Sequence, residues 1–410
     1  MRRYWLGVIL AAFTLQSALL FIYSCPQAKA TMGDEQYYTD LGHRLARGEA
    51  AMHDPFWPPL YGEFLGYCGE TGHLNATVIA AQIGLWAVTG LLLFLMAKRL
   101  GADATTTMIA TGLYFTSTEL VAFSHFFWPE TLHLFLFTAA IWLLLSDQSK
   151  LRFFAWTLLG LCLLTKSLLL VSIVVLILYR FVQRPSYAAL TIPILGIVIA
   201  FLAVLGFRGQ VISYLGKSAA FNVLVGLHEN HFHDHREDIA GKFYQSYGTD
   251  YDTRQKRILD ELKHSWRPIP AIKGVPRHLA RVFDRHSFLI NQLPEGDYAR
   301  YAGPRKWYHQ VIQTWTQLHL LVALCAVVVG IWMWPQKDSI PFLAALIVPC
   351  VFIFSLIHTK SRFLVQFLPL IYLCAALGLR NFKNIRKLTF RQIVISGFLW
   401  IFIMAAFFAP

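Results

Sequence analysis

The sequence predicts an all-α polytopic membrane protein, and three observations carry the prediction. Of 410 residues, 56% are apolar and only 14% are charged, whereas soluble domains carry about 25% charged residues. Several apolar runs reach the roughly 20 residues with which a helix crosses a bilayer, and no series of alternating ten-residue segments signals a transmembrane barrel. The basic residues are spread over short connections between the apolar runs, as topology signals are. A formal charge of +13 would also suit nucleic acid, but this distribution argues for topology, and no nucleic-acid partner is expected.

About eleven spans follow, at residues 4–24, 76–97, 105–124, 131–145, 153–164, 168–182, 188–207, 311–334, 340–357, 363–379 and 393–408. The fifth and sixth are short and meet at Thr165-Lys166-Ser167, so one kinked hairpin is the alternative. Ala28-Lys29-Ala30 resembles a signal-peptidase site, yet the preceding apolar stretch is longer than the usual core of about 7 to 15 residues, so the first span is read as retained. With the N-terminus inside, the cytoplasmic connections collect Lys98, Arg99, Lys150, Arg152, Arg180, Arg184 and Arg380, whereas the short outer ones hold few cations. The positive-inside bias therefore predicts a cytoplasmic N-terminus and an external C-terminus and large loop.

This organisation gives an N-terminal transmembrane module at 1–207 with a first external loop at 25–75, a large external loop at 208–310, and a C-terminal transmembrane module at 311–410. Ordered loops of such length are usually functional, and both are expected to carry interfacial helices. No internal repeat is visible, which weakens a transporter built from repeated halves. The six cysteines show no CxxC spacing, so a zinc cluster or dense disulfide scaffold is not expected. Cys162, Cys325, Cys350 and Cys374 read as packing residues inside apolar runs. Cys25 and Cys68 share the first external loop, where a disulfide can persist, and their pairing stays open.

The first loop opens with GDEQYYTDLGHRLARGE, in which Tyr37, Leu41 and Leu45 recur at helical spacing; an amphipathic interfacial helix is expected. Asp34 and Glu35 fall at its N-terminal end, where the helix dipole stabilises carboxylates. They either cap the helix or supply a base for an acceptor hydroxyl, because such a transfer requires a fixed base within hydrogen-bond reach. In HDPFWPPLYGEFLGY, Pro58-Pro59 forces an extended backbone before Leu60, Tyr61, Phe64 and Leu65. This segment reads as an aromatic belt anchor or as the wall of a substrate groove, for which Tyr37, Tyr38, Trp57 and Tyr61 are the candidates.

Between the third and fourth spans lies SHFFWPETLH, with Pro129 suited to a first helical turn. Glu130 is either a helix N-terminal acid or a carboxylate that approaches Asp34 and Glu35 from a second direction. Lys166, in LLTKSLLL, either snorkels or faces a partner or cavity. HTKSRFLVQFLPL adds His358, Lys360 and Arg362 against the positive-inside trend, a grouping suited to a phosphate or to lipid head groups. The large loop contains HENHFHDH, and His228, His231, His233 and His235 are weak candidates for a zinc site, since the spacing is not HExxH. No GxxxxGKS, GxGxxG or GxSxG occurs, so phosphate-loop ATPase and serine-hydrolase readings lose support.

Taken in order, these segments resemble the GT-C superfamily of integral-membrane glycosyltransferases, in particular the branch of protein O-mannosyltransferases and bacterial lipid A aminoarabinose transferases. The matching pieces are Asp34-Glu35 with YYTDLGHRLARGE, PFWPPLYGEFLG, WPETL at Pro129-Glu130, LLTKSLLL around Lys166, and SRFLVQFLPL before a late span. AAFNVLVGLHE, around Asn222, resembles the start of the long external loop in some bacterial members, and adds Asn222 to the groove candidates. The resemblance implies that Asp34 activates the acceptor, that the donor is a sugar on a polyprenyl phosphate, and that transfer inverts the anomeric centre on the external face; the expected location is a bacterial inner (plasma) membrane. Lipid, glycan and protein acceptors stay open. Phe363 stands where a Tyr often follows the Arg, and the loop is unusually rich in histidine. The implied scheme requires no cofactor, with a divalent metal in the large loop as an option. Competing readings are a lipid-linked sugar flippase or other transporter, and a non-catalytic scaffold whose large loop binds a partner.

Overall fold

The computed structural model describes residues 34–49, 57–205, 218–229, 251–266, 268–285, 306–334, 339–357 and 360–408, with a few isolated positions. Most of the first predicted span, together with Cys25, His231, His233, His235 and His358, lies outside the described residues.

Among the described residues every regular element is a helix. The chain runs α1 (Glu35–Ala46), α2 (Pro59–Gly69), α3 (Leu74–Arg99), α4 (Ala104–Phe115), α5 (Thr118–Phe123), α6 (Glu130–Leu144), α7 (Ser149–Thr165) and α8 (Leu170–Gln183). It continues with α9 (Tyr187–Leu205), α10 (Ala219–His228), α11 (Tyr251–Ser265), α12 (Pro268–Val282), α13 (Lys306–Gly330), α14 (Ser339–Leu356), α15 (Leu368–Arg380) and α16 (Phe390–Phe407). Among the described residues, five helices are long and apolar enough to cross a membrane, at Leu74–Arg99, Tyr187–Val204, Gln310–Met333, Arg362–Arg380 and Phe390–Phe407. Shorter apolar helices include Glu130–Leu144, Ser167–Gln183 and Ile340–Leu356. This set fits a helical membrane protein.

Local chemistry explains the breaks. Gly101, with φ of 78°, closes α3, and the N–H groups of Gly101 and Ala102 donate to the carbonyls of Lys98 and Ala97, each at 3.0 Å, as in a Schellman cap. The predicted span 105–124 is divided into α4 and α5. Ser117 is the cause: its hydroxyl accepts the Leu120 N–H and the Tyr372 hydroxyl at 2.8 Å, which offers the chain an alternative to a continuous helix. At Lys166 the backbone is extended, with φ of −153° and ψ of 121°, and α7 turns back into α8. Small residues set the tightest packing. An added Cβ at Gly330 or Gly378 would run into the carbonyl of Cys374 or Ala326, so α13 and α15 pack backbone to backbone, as small-residue pairs permit.

The bundle has two chemically distinct ends. Arg99, Arg152, Arg180, Arg184 and Arg380 gather at one. There Arg99 donates to the Trp142 carbonyl at 2.7 Å, Arg180 to the Leu144 carbonyl at 3.0 Å, and Arg380 to Asp103 at 3.3 Å. The other end holds α1, α2, the start of α6, Lys166 and Arg362, with acids and bases interleaved.

Candidate functional site

The site is built around a buried turn. Residues 121–130 are all buried, although 124–129 lie between α5 and α6 and have no helical ladder to satisfy their backbone. Two side chains supply the missing partners, as buried peptide groups require. Gln82 on α3 donates to the carbonyls of Ser124 at 3.3 Å and Phe126 at 2.9 Å. Glu35, fully buried, accepts the Phe127 N–H at 2.6 Å.

The helix that presents Glu35 is fixed in turn by α2. A Cβ at Gly66 would lie 2.8 Å from Leu45 Cβ, and one at Gly42 would lie 2.9 Å from Leu65 Cβ. The buried stripe of α1 contains Glu35, Tyr38, Leu41 and Gly42, so Tyr38 is deeper than Tyr37. Asp34 occupies the N-cap position but makes no side-chain cap hydrogen bond. Its carboxylate instead faces Arg362, with Nη1 to Oδ2 at 3.4 Å.

Glu130 opens α6 directly after Pro129 and is 3% exposed. Its Oε1 accepts from Lys166 Nζ at 2.8 Å, while its buried Oε2 has no hydrogen-bond partner among the described residues. Burial pushes the Lys166 ammonium below its ordinary pKa; Glu130 offsets part of this and Arg362 adds to it. The two cations share an aromatic floor. The guanidinium of Arg362 lies 4.6 Å from the Trp128 ring centroid, and Phe363 lies 5.6 Å from Lys166 Nζ and 5.9 Å from Arg362. Such stacking holds a guanidinium without neutralising it. Asp34, Glu130, Lys166 and Arg362, from four separate stretches of sequence, thus form one electrostatic cluster.

The aromatic candidates form a layer beside it. Tyr37 stacks on Trp57 at 5.3 Å, Trp57 meets Tyr38 at 5.7 Å, and Tyr38 meets Tyr61 at 4.9 Å. Tyr61 is fully buried and donates to Gln82 Oε1 at 3.0 Å. It is therefore a post under the buried turn rather than an open wall. Burial, followed by the charges of Asp34 and Glu130, holds the Tyr38 phenol well above its ordinary pKa. Tyr37 and Trp57 are half-buried and are the two of these four rings that keep accessible surface. Trp57 also packs against the cluster of Leu224, Val225, Ile239 and Ile258, which joins the first loop to α10 and α11.

The remaining candidates divide. Asn222 donates to the Ser218 carbonyl at 2.9 Å within its own helix, and His228 Nδ1 contacts the Leu224 carbonyl at 2.9 Å. Lys360 precedes a 3-10 turn at Ser361–Phe367 that presents Arg362. Among the described residues no group of three or more His, Cys, Asp or Glu side chains could hold a metal. Cys68 is a free, buried thiol that burial raises above its ordinary pKa.

Three features escape a reading of the sequence alone. Trp128 stands in the SHFFWPETLH segment, but its role beneath Arg362 depends on a contact across the fold. Gln82 is a buried amide in a largely apolar helix, a signal in itself, but its two carbonyl partners are not readable from the sequence. Glu229, in HENHFHDH, is 1% exposed and pairs with Arg281, while His278 bonds the Ser355 carbonyl at 3.0 Å. This buried trio fastens α10 and α12 to α14. The chain matches no known protein family and no curated protein.

Proposed function

We propose that the protein is an integral-membrane glycosyltransferase that moves a sugar from a polyprenyl-phosphate donor to an acceptor hydroxyl, on the external face of a bacterial inner membrane. The observation that carries this reading is the cluster of Asp34, Glu130, Lys166 and Arg362, gathered over aromatic rings at the end of the bundle opposite the arginine-rich end. The positive-inside rule makes the arginine-rich end cytoplasmic and the cluster external.

Asp34 is the general base. Its side chain caps no helix, and its contact with Arg362 is long at 3.4 Å. An anionic donor drawn to Arg362 competes with that contact and leaves the carboxylate to an acceptor. Asp34 takes the hydroxyl proton as the acceptor oxygen bonds to the anomeric carbon. The bond from that carbon to the phosphate oxygen breaks, and the electron pair leaves with the lipid phosphate. Lys166 and Arg362 stabilise the growing charge, with His358 and Lys360 nearby in sequence as further cations. Inversion follows from a single displacement, and the phosphate needs no proton to leave. Glu130 keeps Lys166 oriented, and Glu35 positions the turn that carries Trp128. Tyr37 and Trp57 offer stacking faces for a sugar or prenyl chain.

The test is transfer from a panel of radiolabelled polyprenyl-phosphate sugars to membrane extract by purified protein. Transfer by wild type, abolished in Asp34→Asn, is the expected result. Movement of a donor across vesicles without transfer, unchanged in Asp34→Asn, would make the protein a lipid-linked sugar transporter instead.

A further inference from the structure

A second group of cations lies at the opposite end of the bundle. A half-open cavity of about 500 Å³ is bounded by the C-terminal end of α8, the N-terminal half of α9 and the start of α7. Arg152, Arg180 and Arg184 all line it. Arg152 donates to the Asp147 carbonyl and Arg180 to the Leu144 carbonyl, each at 3.0 Å; these bonds fix the guanidinium groups without neutralising them. Arg180 also stacks 5.7 Å over Phe342, and it feels the charges of Arg152 and Arg184. Asp147 is the one carboxylate among the lining residues, and among the described residues it makes no ion pair with any of the three arginines. Three cations that repel one another across a cavity call for an anion, and guanidinium forks match phosphate oxygens.

The rest of the cavity shows which source of phosphate it suits. Trp156, Ile192 and Phe342 supply an apolar wall. Leu178 and Val182 on α8 and Ile194 and Leu195 on α9, outside the lining, are exposed, so the two helices that carry the cavity also offer an apolar surface that acyl chains can cover. Free phosphate makes no use of either feature. Basic pockets between transmembrane helices on the cytoplasmic side are suited to anionic head groups. We infer that this cavity binds the phosphate of an anionic phospholipid, with its acyl chains along α8 and α9. The inference rests on the membrane reading of the fold and is independent of the transfer reaction.

Native mass spectrometry of the delipidated full-length protein, titrated with phosphatidylglycerol or phosphatidylcholine, tests it. Wild type should prefer phosphatidylglycerol, and Arg184→Gln and Arg152→Gln should each weaken its binding about tenfold, the loss of one charged hydrogen-bonding partner. These are the more accessible arginines, so folding is not at stake as it is for Arg180. Arg391→Gln removes an exposed charge on α16 outside the cavity and should leave binding unchanged. Equal retention of both lipids, or an undiminished preference in Arg184→Gln, would overturn the proposal. Displacement of phosphatidylglycerol by millimolar inorganic phosphate would also overturn it, in favour of a free-anion site.

Discussion

At the scale of single residues, the pairing of Lys166 with Glu130 organises the site, because their side chains are only 14% and 2% exposed. Removing one partner from a buried ion pair costs about 3–5 kcal/mol, more than removing both. Lys166→Met should therefore lower the melting temperature, and the double variant with Glu130→Gln should recover part of the loss in a thermal unfolding assay. Lys166 also sets a pH dependence. Its pKa is lowered by burial, so it loses its charge at lower pH than an ordinary lysine does, and donor affinity should fall as pH rises through that lowered value. Anion binding favours the protonated form, so binding should take up protons in this window, which calorimetry in buffers of different ionisation enthalpy measures. An affinity flat across the alkaline range would remove Lys166 from the donor site. Asp34, Glu130, Lys166 and Arg362 were legible in the sequence because isolated charges at the ends of apolar runs demand partners. Trp128 and Phe363 were not legible as a floor for Arg362, since neither ring announces which cation will rest on it.

At the scale of elements, the large loop is anchored by Glu229, Arg281 and His278. Arg281→Ala strands a buried carboxylate, at a cost of about 3–5 kcal/mol. Hydrogen exchange should accelerate in Ala219–His228 and Pro268–Val282 while the centre of α3 stays protected; uniform acceleration or none would contradict an anchoring role. The same contact is acid-sensitive. Burial lowers the His278 pKa, so the unfolded loop binds more protons, and the anchor loses stability as pH falls below the ordinary imidazole range of about 6.5. The long apolar helices, such as Leu74–Arg99 and Phe390–Phe407, were legible from apolar run length, whereas the polar helices α11 and α12 were not. The division of 105–124 was not, because Thr116 and Ser117 are neither Gly nor Pro, and the break depends on Tyr372, distant in sequence. The expectation of an interfacial helix at α1 captured its amphipathic character but not its close packing on α2, which Gly42 and Gly66 permit.

At the scale of the whole molecule, the sequence placed its arginines at the connecting segments between apolar runs, the pattern from which the proposed orientation is argued. Their convergence on one end with capping contacts, as in Arg99 and Arg180, needed the fold. The orientation has a direct check. Tyr67, 72% exposed on α2, belongs to the end with the charge cluster, and Gln183 belongs to the other. Tyr67→Cys should react with an impermeant maleimide in intact cells, and Gln183→Cys only after permeabilisation; the reverse pattern would put the cluster on the cytoplasmic face. In the proposed reaction the cluster divides its labour, with Asp34 handling the acceptor proton and Arg362 the donor phosphate. The most direct measurement compares donor affinity and transfer rate in Asp34→Asn and Arg362→Gln with a transferred polyprenyl-phosphate sugar. Asp34→Asn should bind donor at least as well as wild type yet lose transfer by at least about a hundredfold, the scale of a missing general base, whereas Arg362→Gln should weaken donor binding. Transfer that survives in Asp34→Asn would contradict this division.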